Sequence, residues 1–289
     1  MKIILTFLLI LLSLNAEKVL VLNSNNDIVK YKETVDSFSK EFKKSFKIMD
    51  ISKQKENAIK EYLYTEYPDT IYTVGAKAYQ YAYEYLPEKN IFFSTIVNWK
   101  RLKRNDKNYG ISNELHSSMN LTLIKSIFTN VKQIGIIYSK YTKNIIEDFQ
   151  KNAQFLNIKI IPYKIKQNTV EKESFQTLIN NVDAILIIPD PVLLAKQNMV
   201  KKLFVNSKSK NTSIFAYHPL FLNYGAVLTI SIDHPTTGRQ IAAMISNKTY
   251  NKNIQYPAGT QVIFNKKVAI EQNIQFNPNI TSLVNEVRE

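Results

Sequence analysis

Short runs that are apolar on both faces recur along this chain, with a helix-length stretch between each pair; residues 134–138 and 184–188 are the clearest. A strand that buries one face alternates apolar and polar residues. A strand covered by helices on both sides reads instead as a continuous apolar run. Alternation of such runs with helical stretches indicates parallel β–α units, because a parallel connection needs a crossover. The fold class is therefore α/β, with parallel sheets covered on both faces.

The pattern predicts strands over 19–22, 46–51, 70–74 and 91–97, with helices over 29–44, 56–67 and 76–86 between them. A polar stretch over about 107–120, carrying Asn108, Gly110, Ser112 and Asn113, then breaks the rhythm, and a helix is expected over 115–128. A second series starts at Gln133, with strands over 158–162, 183–189, 213–217 and 226–230. A second polar junction, Asp233-His234-Pro235-Thr236-Thr237-Gly238, precedes a helix ending near Asn247. Two halves joined at such junctions predict two hinged Rossmann-like lobes: residues 17–112 with about 234–262, and 113–233 with about 263–289. Tyr79, Tyr81, Tyr83 and Tyr85 alternate like strand residues, but the intervening Ala78, Ala82 and Glu84 favour helix, where the tyrosines become i,i+4 pairs.

The N-terminus bears on compartment. Lys2, the apolar run over 3–12 and Ser13-Leu14-Asn15-Ala16 before Glu17 have the layout of a secretory signal, with cleavage expected after Ala16 and a periplasmic mature chain. The run is shorter than the roughly 20 apolar residues of a membrane span. An uncleaved anchor is the alternative, because Leu14 is larger than the usual residue at its position. With no cysteine, a lipid-modified N-terminus, disulfides and thiolate metal sites are all excluded. The net charge of +14 does not indicate nucleic acid. All but four of the 38 basic residues are lysines scattered over the whole chain, whereas nucleic-acid binders concentrate charge on one face and favour arginine.

Catalytic patterns are missing. His116, His218 and His234 form no metal-ligand spacing, and no nucleophile elbow, phosphate loop or dinucleotide fingerprint occurs. With six glycines, a glycine-rich phosphate cradle has little to be built from. No enzyme activity, metal or cofactor is expected. Ligands of open α/β sheets bind at the carboxyl ends of the strands. Those ends give the candidates: Asn23, Ser24, Gly75, Ala76, Asn98 and Trp99 in the first lobe, and Tyr138, Ser139, Asp190, Tyr217 and His218 in the second. Asp190, between Pro189 and Pro191, has the makings of an N-cap; alternatively its carboxylate faces a ligand ammonium or hydroxyl. Gly75 serves either close strand–helix packing or, with Ala76, an anionic ligand group at a helix N-terminus. Trp99 either stacks on a ligand or caps the hinge.

Five stretches, in order, resemble a family of bacterial ABC-transporter substrate-binding proteins of the type I periplasmic-binding fold, some tied to tryptophan or tyrosine uptake. They are Val74-Gly75-Ala76-Lys77-Ala78; residues 128–138, ending Ile134-Gly135-Ile136-Ile137-Tyr138; Val182-Asp183-Ala184 through Pro189-Asp190; Gly225-Ala226 with Asp233 and Gly238-Arg239-Gln240; and Phe264-Asn265-Lys266-Lys267-Val268-Ala269. The resemblance implies a monomer that closes two lobes on a small molecule, an amino acid by first preference, and delivers it to an inner-membrane ABC permease. It places Gly75, Ala76, Tyr138 and Asp190 along the cleft. A sensor subunit signalling to a membrane kinase is the alternative, and a secreted α/β enzyme a more distant one. The chain departs from the family after the fourth strand, where Val97-Asn98-Trp99 lacks the usual Asp and Pro. Asn273 stands where the family has Gly after the last helix, and Asn also tolerates the left-handed conformation.

Overall fold

The computed structural model describes residues 17–168, 175–248 and 253–289; the expected signal sequence at 1–16 lies outside the described residues. In chain order the first elements are β1 (Val19–Asn23), α1 (Val29–Glu41), β2 (Phe46–Asp50), α2 (Glu56–Glu66), β3 (Thr70–Val74), α3 (Ala76–Tyr85), β4 (Asn90–Ser94) and β5 (Asn108–Ile111). There follow α4 (Ser117–Ile127), β6 (Gln133–Tyr138), α5 (Lys143–Ala153), β7 (Lys159–Lys164), α6 (Gln176–Ile179), β8 (Ala184–Ile187), α7 (Pro191–Leu194), α8 (Gln197–Ser209), β9 (Ser213–Ala216) and β10 (Leu228–Ile232). The last are α9 (His234–Asn247), β11 (Ile254–Gln255), β12 (Thr260–Asn265), α10 (Lys266–Glu271) and β13 (Glu286–Arg288). The chain divides into two compact units. Unit 1 contains the described residues up to Glu114 and Asp233–Gly259; unit 2 contains Leu115–Ile232 and Thr260–Glu289.

The sheet of unit 1 runs β2-β1-β3-β4-β5-β11, every neighbouring pair parallel. Strand β1 shows why its sequence does not alternate. Val19 and Val21 join a core layer with Phe38, Tyr72, Phe92 and Ile241, while Leu20 and Leu22 join the opposite layer with Ile59, Leu63, Tyr79 and Phe93. Each such fully buried aliphatic side chain stabilises the fold by about 1.5–3 kcal/mol relative to exposure. The tyrosine-rich stretch is helical, as expected. Tyr79 stacks on Tyr83 at 5.9 Å between ring centroids, and Tyr81 on Tyr85 at 6.0 Å.

In unit 2 the sheet runs β7-β6-β8-β9-β10-β12-β13. Its strands are again covered on both faces. Ile134, Ile136, Leu186 and Phe215 pack with α4 and α5, while Ile137, Ile185 and Ile187 pack with Leu193, Met199 and Leu203 on the other side. Phe128 at the end of α4 stacks on Phe215 at 4.8 Å, and Asn273 takes φ 52°, the left-handed conformation its sequence position required.

Three expectations are corrected. The polar stretch at 107–120 contains a strand, β5, whose Gly110 is needed because a Cβ there would lie 2.6 Å from the Phe93 ring. The second sheet is not wholly parallel, since β12 runs antiparallel to β10 with Ile230 opposite Val262. The second polar junction does not precede the helix but supplies its first turn. Helix α9 begins at His234, capped by the Asp233 carboxylate on the Thr236 amide at 3.0 Å with Pro235 in the first turn.

Candidate functional site

Within each unit the first five strands follow one order: β2-β1-β3-β4-β5 and β7-β6-β8-β9-β10. The direction of winding reverses between β1 and β3, and again between β6 and β8. In open α/β sheets ligands bind outside the carboxyl ends of the strands at such switch points. The side chains there are consequently the ones to examine.

At the β1/β3 switch point the structure brings Asn23, Ser24, Gly75 and Ala76 together. The Ser24 amide donates to the Val74 carbonyl at 2.9 Å, and its Oγ accepts from the Ala78 amide at 3.0 Å, satisfying one of the first-turn donors of α3. Asn23 is buried and its Oδ1 accepts from the Asn25 amide at 3.3 Å, shaping the turn out of β1. Gly75 has φ +87°, and a Cβ on it would stand 2.7 Å from Ser24 Oγ and 2.9 Å from Tyr31 Cζ. Close packing therefore explains the glycine. Its amide donates to the Ser94 carbonyl at 3.1 Å, so the expected pairing of the Gly75 and Ala76 amides on one anionic group is corrected: only the exposed Ala76 end of α3 remains for that role.

Tyr31, which the sequence reading did not single out, covers Gly75 from the first turn of α1. Burial raises the Tyr31 phenol above its ordinary pKa and lowers the neighbouring Lys30 ammonium, whose Nζ lies 5.4 Å from the Tyr31 ring centroid. The available signal was position, since the helix after β1 starts at the same end of the sheet. Thr95 was missed as well. It is buried just past β4 with φ +58°, a conformation that costs a β-branched residue on the order of 1–3 kcal/mol and that clusters at functional sites. Beyond it, Asn98 takes φ 57° and Trp99 opens a 3-10 turn. The Trp99 indole donates to Ser112 Oγ at 2.9 Å, with the Arg104 guanidinium 5.0 Å above its ring. Trp99 is thus tied to the end of β5 by its polar edge.

At the β6/β8 switch point Tyr138, Ser139 and Asp190 come together. Asp190 is fully buried. One carboxylate oxygen accepts from the Val192 and Leu193 amides at 2.9 and 3.0 Å, capping α7; the other accepts from the Ser139 amide at 2.7 Å and the Thr142 hydroxyl at 2.5 Å. A carboxylate offers about four acceptor positions, and all four are used within unit 2. The expected alternative, a salt link from Asp190 to a ligand, is therefore corrected to a structural tie between the β6 and β8 loops. Thr142 is the partner that sequence inspection missed. Tyr138 is half-buried against the α4 side of the core. At the end of β9, Tyr217 is half-buried with its phenol pKa raised by burial, and the exposed His218 caps the following 3-10 turn through Nδ1, which accepts from the Leu220 amide at 3.1 Å. Among the described residues no three His, Asp or Glu side chains are grouped to hold a metal.

A pair of doubly covered 2-1-3-4-5 sheets, with the chain passing between the units three times, is the architecture of type I periplasmic-binding proteins. The sequence assigns the chain more narrowly: it belongs to the ABC transporter substrate binding protein family, whose model matches residues 32–288. Among solved structures it is similar to a ligand-free, open substrate-binding protein with adhesive properties from Clostridium difficile, at 13% identity and TM-score 0.70, covering 94% of this chain and 99% of that one. The domain solved with L-Trp from Streptococcus pneumonia matches at 18% identity and TM-score 0.62, covering 94% and 100%. A conserved domain protein from Vibrio cholerae matches at 18% and TM-score 0.61, covering 95% and 100%. No curated protein matches the chain by sequence. Among the described residues no helix is long and apolar enough to cross a membrane.

Proposed function

We propose that this chain is the periplasmic, non-enzymatic receptor of an ABC importer. It takes a small zwitterionic solute, an aromatic amino acid by first preference, at the carboxyl ends of its strands and delivers it to an inner-membrane permease. The observation that carries this reading is the repetition of one strand order in both units, with switch points whose loops are locked by their own hydrogen bonds. Preformed loops lower the ordering cost of binding and leave the affinity to the solute contacts.

The available chemistry suits a carboxylate-bearing solute with a ring. In unit 1, Lys30 and the exposed Ala76 end of α3 favour a carboxylate and Tyr31 offers aromatic surface; in unit 2, Tyr138 and Tyr217 offer aromatic surface. The similar domain solved with L-Trp supports that ligand class. Binding rather than turnover is favoured by the histidines. His116 and His218 each spend Nδ1 as an acceptor for a backbone amide, a capping role rather than that of a general base.

The test is a thermal-shift screen of the chain from Glu17 onward against amino acids, nucleosides, sugars and organic acids. A true ligand at 100 times its dissociation constant adds about 2.7 kcal/mol of stability. Saturable stabilisation by tryptophan or tyrosine is the expected result. Response to another class alone replaces the ligand and keeps the receptor; no saturable response in any class defeats the receptor reading.

A further inference from the structure

A small cavity of about 80 Å³ lies inside unit 2, between the C-terminal end of α8, the 3-10 turn Pro219–Tyr224 and α10. It is remote in the fold from the switch point, because α8 ends there and β9 begins, so it sits toward the amino ends of the strands. Phe204, Ile214 and Val268 give it apolar walls. Ser207 and Gln272 also line it; they are 1% and 8% exposed, and neither Ser207 Oγ nor Gln272 Oε1 has a hydrogen-bond partner among the described residues. Leaving two such atoms buried and unpaired is costly in a folded protein, and two in one cavity call for a guest that pairs with both.

The lining restricts what that guest can be. Lys208 and Glu271, both exposed, stand among the lining residues with opposite charge, so the niche has no net charge to balance an ion. A carboxamide is both acceptor and donor, and a serine hydroxyl is both as well. Gln272 Oε1 needs a donor and the Ser207 hydroxyl can supply one, and a small amide, with one N–H group and one carbonyl, answers both in a space of about two or three water volumes. We propose that this cavity is a second solute site, specific for small neutral amides such as acetamide, held by Gln272 and Ser207 and independent of the site at the strand ends.

A ligand of four heavy atoms has a ceiling of about 6 kcal/mol, so its dissociation constant falls between about tens of micromolar and the millimolar range. The experiment titrates the chain from Glu17 onward with acetamide, and with acetate as the charged control, using ligand-observed NMR. The same titrations are run on Gln272→Met and Ser207→Ala. The expected result is saturable acetamide binding, at least about tenfold weaker in Gln272→Met, with acetate inert. Replacing a buried unpaired polar group is mild or stabilising, and Ser207→Ala keeps the test open if Gln272→Met does not fold. Unchanged acetamide binding in the folded variants, equal binding of acetate, or an acetamide-soaked crystal with only water in the cavity would overturn the proposal. An amino acid bound at the strand ends should leave the acetamide titration unaltered, so failure of one site is read separately from failure of the other.

Discussion

At the scale of single residues, the strand-end positions were legible and their partners were not. Gly75 and Asp190 stand out in a sequence because each has a backbone signature, a glycine at a strand–helix turn and an Asp before Pro. What the carboxylate of Asp190 reaches, Ser139 and Thr142 across the β6 loop, depends on residues about fifty positions away and has no local signal. Tyr31 and Thr95 were illegible for the same reason, since one is placed by what it covers and the other by a backbone angle. Two predictions belong here. Asp190→Ala removes a helix cap and strands two buried donors, and should cost about 3–5 kcal/mol, whereas Asp190→Asn keeps the cap and should cost less. Denaturant melting of both variants checks this, and a loss below about 1 kcal/mol for Asp190→Ala would contradict the tie. Gly75→Ala places a methyl against Ser24 and Tyr31 at a positive φ and should lower stability by more than about 1 kcal/mol. Restoring stability by adding Ser24→Gly would show that the collision, rather than the angle, dominates.

Among the elements, the doubly apolar strands announced themselves as brief runs in regular alternation with helix-length stretches, since a run of about five apolar residues is too short for a buried helix. Short elements at the edges did not. The four residues of β5 include Asn108 and Gly110, both ordinary loop residues. Yet Asn108 is buried with its Oδ1 accepting from the Asn105 amide and the Tyr79 hydroxyl, and Gly110 makes room for Phe93. The stretch 233–238 was read as a junction before α9, yet it includes Gly238, which lies inside the helix. Its purpose is contact: a Cβ at Gly238 would lie 2.2 Å from the Thr34 carbonyl oxygen and 2.9 Å from the Phe38 amide nitrogen, on the backbone of α1. The obstacle is backbone rather than a flexible side chain, so α1 and α9 have to separate to admit a methyl. Gly238→Ala should therefore destabilise unit 1 by about 2 kcal/mol or more, although alanine is the better helix former. A melting temperature equal to or above the parent's would show that the two helices are less closely set than this.

For the whole molecule, the order in which the chain visits its units has a consequence for folding. Unit 1 is not complete when its first 114 residues have been made, because α9 and β11 return to it only after β10 of unit 2. From α9, Ile241, Met244 and Ile245 are buried in the layer that also holds Val21, Phe38 and Tyr72. At 1.5–3 kcal/mol for each large side chain, their removal costs on the order of 5 kcal/mol or more. A domain commonly has only 5–15 kcal/mol of stability in all. A chain ending at Ile232 should consequently leave unit 1 unable to hold its sheet, with the α1 face uncovered. The sole tryptophan reports on this directly, since Trp99 belongs to unit 1 and its indole is bound to Ser112. In residues 17–232 its emission should match that of the denatured chain, while the emission of the intact chain should be blue-shifted from it, since Trp99 is partly buried against the core of unit 1. Native-like emission and a cooperative thermal transition reported by Trp99 in that fragment would mean that unit 1 folds without α9, and that the chain's return to it adds stability without being required.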